Sequence, residues 1–223
     1  MAVYRIADVN MSIHPVGQFT RDLLKEYQVD NGEVQLDVPT FADSDTEYAD
    51  ILRYIAQAML HRFEGMYMHS AAVLYENKVY LFVAPSGTGK STHIALWKQL
   101  LRDRVTVLNG DKPILRRREG KIYVYGTPWR GKEGWGSNAK GELGGIYLLQ
   151  RSSDNYIKEI PFYQAVGALV GATIYPTELD GRTKVLDFLE LMAAQAKVAE
   201  LHCNADLSAV RAVLAHIETG ACI

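Results

Sequence analysis

Cysteine is scarce in this chain. Cys203 and Cys222 are the two present, and neither has a partner at metal-ligand spacing. A cysteine-held metal centre is thereby excluded, and a reduced, cytoplasmic setting is expected. Long apolar runs are missing too, with none near the ~20 residues that cross a bilayer. The opening MAVYRIADVNMSIHP has no basic stretch followed by an apolar core, so no signal peptide is expected. Nor does one sign of charge dominate: 24 basic and 26 acidic residues leave a net −2. That balance argues against nucleic acid or an anionic membrane as a partner. The chain also lacks internal repeats, low-complexity tracts and Pro- or Ser-rich linkers. With 48% hydrophobic residues over 223 positions it can bury a substantial core. A single α/β domain over 1–223 is expected, with more strand than a helix-after-every-strand fold.

What is present centres on Val79 to Trp97. Val79, Tyr80, Leu81, Phe82 and Val83 form an unbroken run of β-formers, as in a strand covered on both faces. The run breaks into Ala84-Pro85-Ser86-Gly87-Thr88-Gly89-Lys90-Ser91-Thr92 and resumes as a helix through Ile94, Leu96 and Trp97. Strand, glycine-rich turn and helix are the setting of a phosphate-binding loop. Gly87 and Gly89 can take positive φ and let backbone N–H groups converge on phosphate oxygens. The helix start adds free N–H groups and the positive end of its dipole. Lys90 would reach the β- and γ-phosphates of a nucleotide such as ATP, and the Ser91 hydroxyl would ligate Mg²⁺. Ser86, Thr88 and Thr92 complete the segment. Ala84 stands where the usual pattern has its first glycine, and Gly87 restores the freedom lost there.

Around this motif, residues 1–40 read as a strand-rich segment: Val3–Ile6 and Val34–Val38 as strands, Phe19–Tyr27 as a short helix, Asn31-Gly32 as a turn. Ser44-Asp45-Thr46-Glu47 has the capping-box spacing, opening a helix whose apolar face runs from Tyr48 through Ile51, Ile55 and Met59 to Phe63. Met68–Tyr75 reads as one strand with His69 at its start, Val105–Leu108 and Lys121–Tyr125 as strands, and Arg116–Gly120 as a polar turn. Ile146–Gln150 and Val198–Cys203 read as strands, Phe162–Ala172 and Lys184–Ala196 as helices, and Asp206 as the cap of a last helix.

Phosphoryl transfer also requires a carboxylate and cations near the loop. Asp111 is the best carboxylate. It follows an apolar strand, about twenty residues beyond Lys90, where a neighbouring strand would end beside the loop. It could hold Mg²⁺ or accept a hydroxyl proton, although Asn109-Gly110-Asp111 is also ordinary turn chemistry. The short Glu76-Asn77-Lys78 turn places the strand of His69 next to the loop strand, where His69 could orient Asp111. Arg130 and Lys132 lie in a loop, 126–138, with Gly126, Gly131, Gly134, Gly136, Trp129 and Trp135. Such a loop can close over a substrate and bring cations to transferred charge; a tryptophan in it could stack on a base or pack in the core.

The loop from Ala84 to Thr92, the preceding His69-Ser70 and the following Asp111 resemble HPr kinase/phosphorylase, which shares its nucleotide-binding core with phosphoenolpyruvate carboxykinase. The match covers roughly 65–150 and is best at the loop. The resemblance implies a P-loop fold with a mixed sheet and flanking helices, ATP and Mg²⁺ as cofactors, His69 and Asp111 in the catalytic site, and assembly into homo-oligomers. The family usually has two adjacent aspartates where this chain has Asp111-Lys112, a departure that bears on the reverse, phosphorylase direction. Without the large N-terminal domain of many members, the chain looks more like short HPr-kinase-like proteins associated with ribosomally made peptides, including lasso peptide precursors, where a serine is phosphorylated. Phosphoenolpyruvate carboxykinase is much longer and needs further metal residues. The expected activity is ATP- and Mg²⁺-dependent phosphorylation of a hydroxyl, foremost a serine of a peptide or small protein. A metabolite kinase and a slowly hydrolysing nucleotide-dependent regulatory module are the alternatives.

Overall fold

The computed structural model describes residues 2–220, so Cys222 lies outside the described residues. Val3–Ile6 (β1) and Val9–Ser12 (β2) pair antiparallel. Ala7 and Asp8 join them, both at positive φ, the two-residue hairpin whose twist matches its strands. Gln18–Leu24 (α1) runs into a single 3-10 turn, Lys25–Tyr27, and then Gln28–Val29 (β3). The strand expected over 34–38 shortens to Leu36–Asp37 (β4). These strands make a four-stranded sheet in the order β3-β1-β2-β4. Glu47–Arg62 (α2) packs Ile51, Ile55 and Met59 into the same core, which continues into Tyr67 and Ile114 of the larger sheet and Trp129 of the loop 126–138.

The capping box does not form. Thr46 is the N-cap and gives no side-chain bond, while Glu47 is fully buried. Its carboxylate accepts hydrogen bonds from the backbone N–H groups of Val16 (2.5 Å) and Gly17 (3.0 Å). A loop 30 residues away supplies two donors to a buried carboxylate, which outcompetes the single exposed donor a box would offer.

The larger sheet has nine strands. Gly65–Tyr67 (β5), Ser70–Tyr75 (β6) and Lys78–Val83 (β7) come first, then Lys90–Leu101 (α3) and Val105–Asn109 (β8). Ile114–Arg118 (β9), Lys121–Tyr125 (β10), Lys140–Arg151 (β11) and Tyr156–Glu159 (β12) follow. Phe162–Gly171 (α4), Leu179–Gln195 (α5), Lys197–Cys203 (β13) and Leu207–Gly220 (α6) complete the chain, with Asp206 capping α6 through the backbone N–H of Ser208. The order is β5-β9-β10-β11-β7-β6-β8, and the second half of β11 pairs with β13, which carries β12 at its edge. Strands β7, β11 and β13 are parallel, and β8 runs with them because both it and β7 are antiparallel to β6.

Both faces of β7 are covered. Val79, Leu81 and Val83 join a core with Leu169 of α4 and Val185, Leu189 and Met192 of α5. Tyr80 and Phe82 face Ile94 and Trp97 of α3 and Val210 of α6. Each such side chain contributes about 1.5–3 kcal/mol by leaving water, so α3 and the loop at its head are held firmly.

Three further expectations are corrected, and one strand was not expected. The strand expected over 68–75 starts at Ser70 instead, because Met68 and His69 fall in the break between β5, which pairs with β9, and β6, which pairs with β7 and β8. The polar turn at 116–120 is mostly β9; only Glu119 and Gly120 turn, and Arg116 is buried with its guanidinium donating to the carbonyls of Phe63 (3.0 Å) and Ala7 (2.6 Å). The strand expected from Ile146 starts at Lys140, six residues earlier, through Gly141, Gly144 and Gly145. A Cβ at Gly144 would stand 2.8 Å from Cβ of Lys78, so glycine there permits close strand approach rather than a loop. β12 went unread because only one of its residues, Ile157, is apolar and partly covered.

Candidate active site

The carboxyl ends of β7, β8, β11 and β13 and the amino end of β6 lie along one edge of the sheet. Open α/β sheets offer ligands such an edge. The loop after β7 sits at its centre. Gly87 (φ 79°) and Gly89 (φ 126°) take the conformation glycine alone adopts easily, and each faces open space where a Cβ would be. Gly89 is the N-cap of α3 and offers no side chain; the first helical bond runs from the N–H of His93 to its carbonyl (2.9 Å). The N–H groups of Lys90, Ser91 and Thr92 therefore have no acceptor within the helix. Twelve residues of helix stand behind them, so the segment has the donor set and dipole of an anion cradle.

Lys90 is buried, and its Nζ donates back to the carbonyls of Ala84 (2.7 Å) and Pro85 (3.4 Å). Burial lowers its pKa, while the negative charge of Asp111 pulls the other way and Lys112 adds to the lowering. The two sequence candidates Lys90 and Asp111 thus feel each other's charge. Arg151, at the end of β11, donates to the carbonyls of Thr88 (3.0 Å) and Gly87, and so braces the loop from its outer side. No sequence signal marks Arg151, since its partners are backbone atoms brought near by parallel pairing.

Asp111 and His69 meet. Nε2 of His69 lies 2.9 Å from Oδ1 of Asp111, and Lys112 Nζ donates to Oδ2. Burial alone would raise the Asp111 pKa; the hydrogen bonds from His69 and Lys112 outweigh it and lower the carboxyl to about 2. The backbone fixes the pair, because the carbonyl of Asp111 accepts from the N–H of Ser70 (3.0 Å) and the carbonyl of Ala172 from that of His69 (2.5 Å). Beneath them sits Asn109, fully buried. Its Oδ1 accepts from the backbone N–H groups of Asp111 (2.8 Å) and Lys112 (2.7 Å), and its Nδ2 donates to Oγ1 (3.0 Å) and the carbonyl (3.2 Å) of Thr127. Asn109 is a positioning residue that sequence reasoning saw as part of a turn. An asparagine bonding the backbone two residues on is the signal that could have revealed it.

The loop 126–138 lies over the Asp111 turn through its backbone. A Cβ at Gly131 would stand 2.9 Å from Cβ of Asp111, and one at Gly110 would stand 2.8 Å from the carbonyl oxygen of Arg130. The structure does not bring the Arg130 guanidinium to the phosphate loop. It turns to the Glu26 carboxylate and to Tyr27, whose ring centroid is 5.9 Å away. Lys132 is exposed on the same loop. Trp129 is a core residue, with its indole N–H donating to the carbonyl of Tyr48 (3.0 Å).

No group of three or more metal-ligating side chains occurs among the described residues. Ser91 and Asp111 remain as candidate ligands, a set that suits Mg²⁺, which keeps most of its waters and takes one or two protein ligands beside phosphate oxygens. A cavity of about 250 Å³ opens beside His69, lined mostly by apolar atoms of Val83, Ala84, Pro85, Leu149, Ala168 and Ala172. No helix among the described residues is long and apolar enough to cross a membrane.

No family model and no curated protein matches this chain. Among solved structures, the HPr(Ser) kinase/phosphatase from Coxiella burnetii aligns over 69% of this chain and 99% of its own, at 11% identity and a TM-score of 0.33. A score that low carries no argument about this chain, and the geometry above stands by itself.

Proposed function

We propose that this chain is an ATP- and Mg²⁺-dependent phosphotransferase whose acceptor is a hydroxyl, foremost that of a serine in a peptide or small protein. The observation that carries the reading is the Asp111 carboxylate, held by His69 and Lys112 and electrostatically coupled to Lys90 at the foot of a glycine-rich helix cradle. The N–H groups at the head of α3, with Gly87 and Gly89 keeping the loop open, hold the phosphates, and Lys90 leaves the Ala84 and Pro85 carbonyls to meet them. Ser91 and Asp111 would hold Mg²⁺, which supplies charge neutralisation at the transferred group.

Asp111, with its pKa near 2, is ionised at neutral pH but is a weak base. That suffices here, because phosphoryl transfer through a loose transition state demands positioning more than early proton removal. Asp111 accepts the acceptor hydroxyl's hydrogen bond and aims its oxygen; His69 keeps the carboxylate in that orientation. The acceptor reaches Asp111 past His69, where the 250 Å³ cavity has room for an apolar neighbour of the hydroxyl.

Intact-mass spectrometry of serine peptides incubated with the protein and Mg-ATP tests the reading. The expected result is a gain of one phosphate that both Lys90→Ala and Asp111→Asn lose. A gain that persists in Asp111→Asn removes Asp111 from the chemistry. Phosphorylation of a metabolite in place of every peptide replaces the acceptor class.

A further inference from the structure

The cavity of about 250 Å³ beside His69 is built where three elements meet. Val83 and Leu148, register partners at the carboxyl ends of β7 and β11, form its floor, and both are buried. Ala84 and Pro85 of the phosphate loop form one wall, and Ala168 and Gly171 of α4 the other. Those two residues of α4 are exposed, so the cavity opens to solvent there. The backbone ties this wall to the catalytic pair, since the carbonyl of Ala172 accepts from the N–H of His69 (2.5 Å).

The departure of the loop from the usual pattern falls on the first wall. Ala84 replaces a glycine and adds a methyl, and Pro85 has no N–H to offer. The carbonyls of both turn to Lys90 Nζ (2.7 and 3.4 Å), so the loop presents carbon to the cavity. On the opposite wall a Cβ at Gly171 would meet nothing within 4 Å, so glycine there keeps space open. Water in such a cavity finds few partners, and an apolar group that displaces it gains affinity. Apolar cavities of about 150 Å³ admit benzene, whereas pockets for whole ligands run from about 300 Å³ upward. At about 250 Å³ this one suits a single Leu, Met or Phe side chain. A charged or amide side chain would lose its hydration there without a compensating bond.

We infer that this cavity selects the acceptor: the hydroxyl belongs to a serine with Leu, Met or Phe within two residues of it, and that side chain fills the cavity while the hydroxyl meets Asp111. The inference rests on the peptide phosphotransferase reading above and names the class of peptide. His69 lines the cavity and bonds Asp111 (2.9 Å), so one imidazole ring separates the two positions. Side chains on one face of an extended chain recur every ~7 Å, which spans that ring. A small hydrophilic alcohol would leave the cavity unfilled, and a serine flanked by acidic residues would bring charge against its apolar walls. Ala168 and Gly171 are specificity-determining residues in this reading, and the Ala84-Pro85 departure acquires a purpose.

The test is a set of otherwise identical serine peptides with Leu, Ala or Asp placed in turn at each of the two positions on either side of the serine, assayed with Mg-ATP. At one of those positions Leu should exceed Ala by roughly tenfold or more in kcat/KM, and Asp should fall below Ala. Gly171→Leu and Ala168→Leu each put an isobutyl group into the cavity from an exposed helical position, where Leu is a good helix former. Both should remove the Leu advantage while Mg-ATP affinity stays as in the wild type. Gly167→Leu, on the same helix with open space at its Cβ but outside the cavity lining, should keep the advantage. Equal rates for all peptides, or an advantage that survives both cavity variants, overturns the selection and leaves the phosphotransferase standing. If no peptide of the set gains phosphate, the peptide reading fails and takes this inference with it.

Discussion

Asp111 is the residue on which stability and chemistry meet. Its carboxyl sits near pKa 2, against about 3.9 in an unfolded chain, because the hydrogen bonds from His69 and Lys112 outweigh the penalty of burial. The folded value is the lower one, so the contribution is complete above about pH 4 and disappears as pH falls through about 2. The shift corresponds to on the order of 2 kcal/mol. Urea denaturation of wild type and Asp111→Asn should therefore show a stability gap that narrows by about that amount between pH 4 and pH 2; a gap independent of pH would remove the ion cluster as its source. On activity the same substitution should cost roughly 10²–10⁴-fold in kcat, since a positioning carboxylate is lost. His69→Gln, which keeps a donor toward Oδ1, should cost less than His69→Ala; equal losses in transfer rate would show that His69 does more than orient the carboxylate.

At the scale of elements, the site is only as good as the turn between β8 and β9. Asn109 satisfies two backbone donors of that turn and ties it to Thr127. Asn109→Ala leaves those groups without partners and should destabilise the protein by roughly 2–4 kcal/mol. Peptide phosphorylation should fall through kcat while nucleotide affinity holds, and a loss seen in affinity alone would argue against a positioning role. Gly131→Ala attacks the same turn from above, since φ is +77° and its Cβ would meet Asp111; a loss of about 1–3 kcal/mol by urea melt is expected. These cases show what was legible in the chain. The segment from Val79 to Trp97 was readable because local pattern dictates it: alternating faces of β7, glycines at positive φ and a helix straight after. Asp111 and His69 were readable as strand-end residues. The bracing by Thr127 and Arg151 was hidden, because each bonds backbone far along the chain, and the local turn at Asn109 gave no sign of its tie to Thr127. The first half of β11 was hidden by glycines that imitate a loop, and Glu47 by a distant loop that took the place of its cap.

For the whole molecule, the N-terminal four-stranded sheet and the nine-stranded sheet are joined at the loop that covers Asp111. Glu26 takes the Arg130 guanidinium on one carboxylate oxygen and the Asn138 N–H on the other (2.9 Å), and the Asn138 amide donates to the Glu26 carbonyl (3.1 Å). The first forty residues therefore hold loop 126–138 in place, a task their sequence did not disclose. Arg130 belongs to this seam, whereas Lys90 belongs to the cradle, and a thermal shift separates them. A ligand at a hundred times its Kd stabilises the folded state by about 2.7 kcal/mol. For a chain of this length that is a rise in Tm of roughly 5–10 °C. Mg-ATP should produce that rise in wild type and in Arg130→Ala, whose ligand-free Tm is lower because the seam is cut. Lys90→Ala removes two hydrogen bonds to loop carbonyls but also a cation that burial disfavours, so it should keep its ligand-free Tm close to wild type and should lose most of the nucleotide-induced rise. If Arg130→Ala loses the rise instead, the guanidinium leaves Glu26 for the phosphates when nucleotide binds, and the loop is a clamp after all.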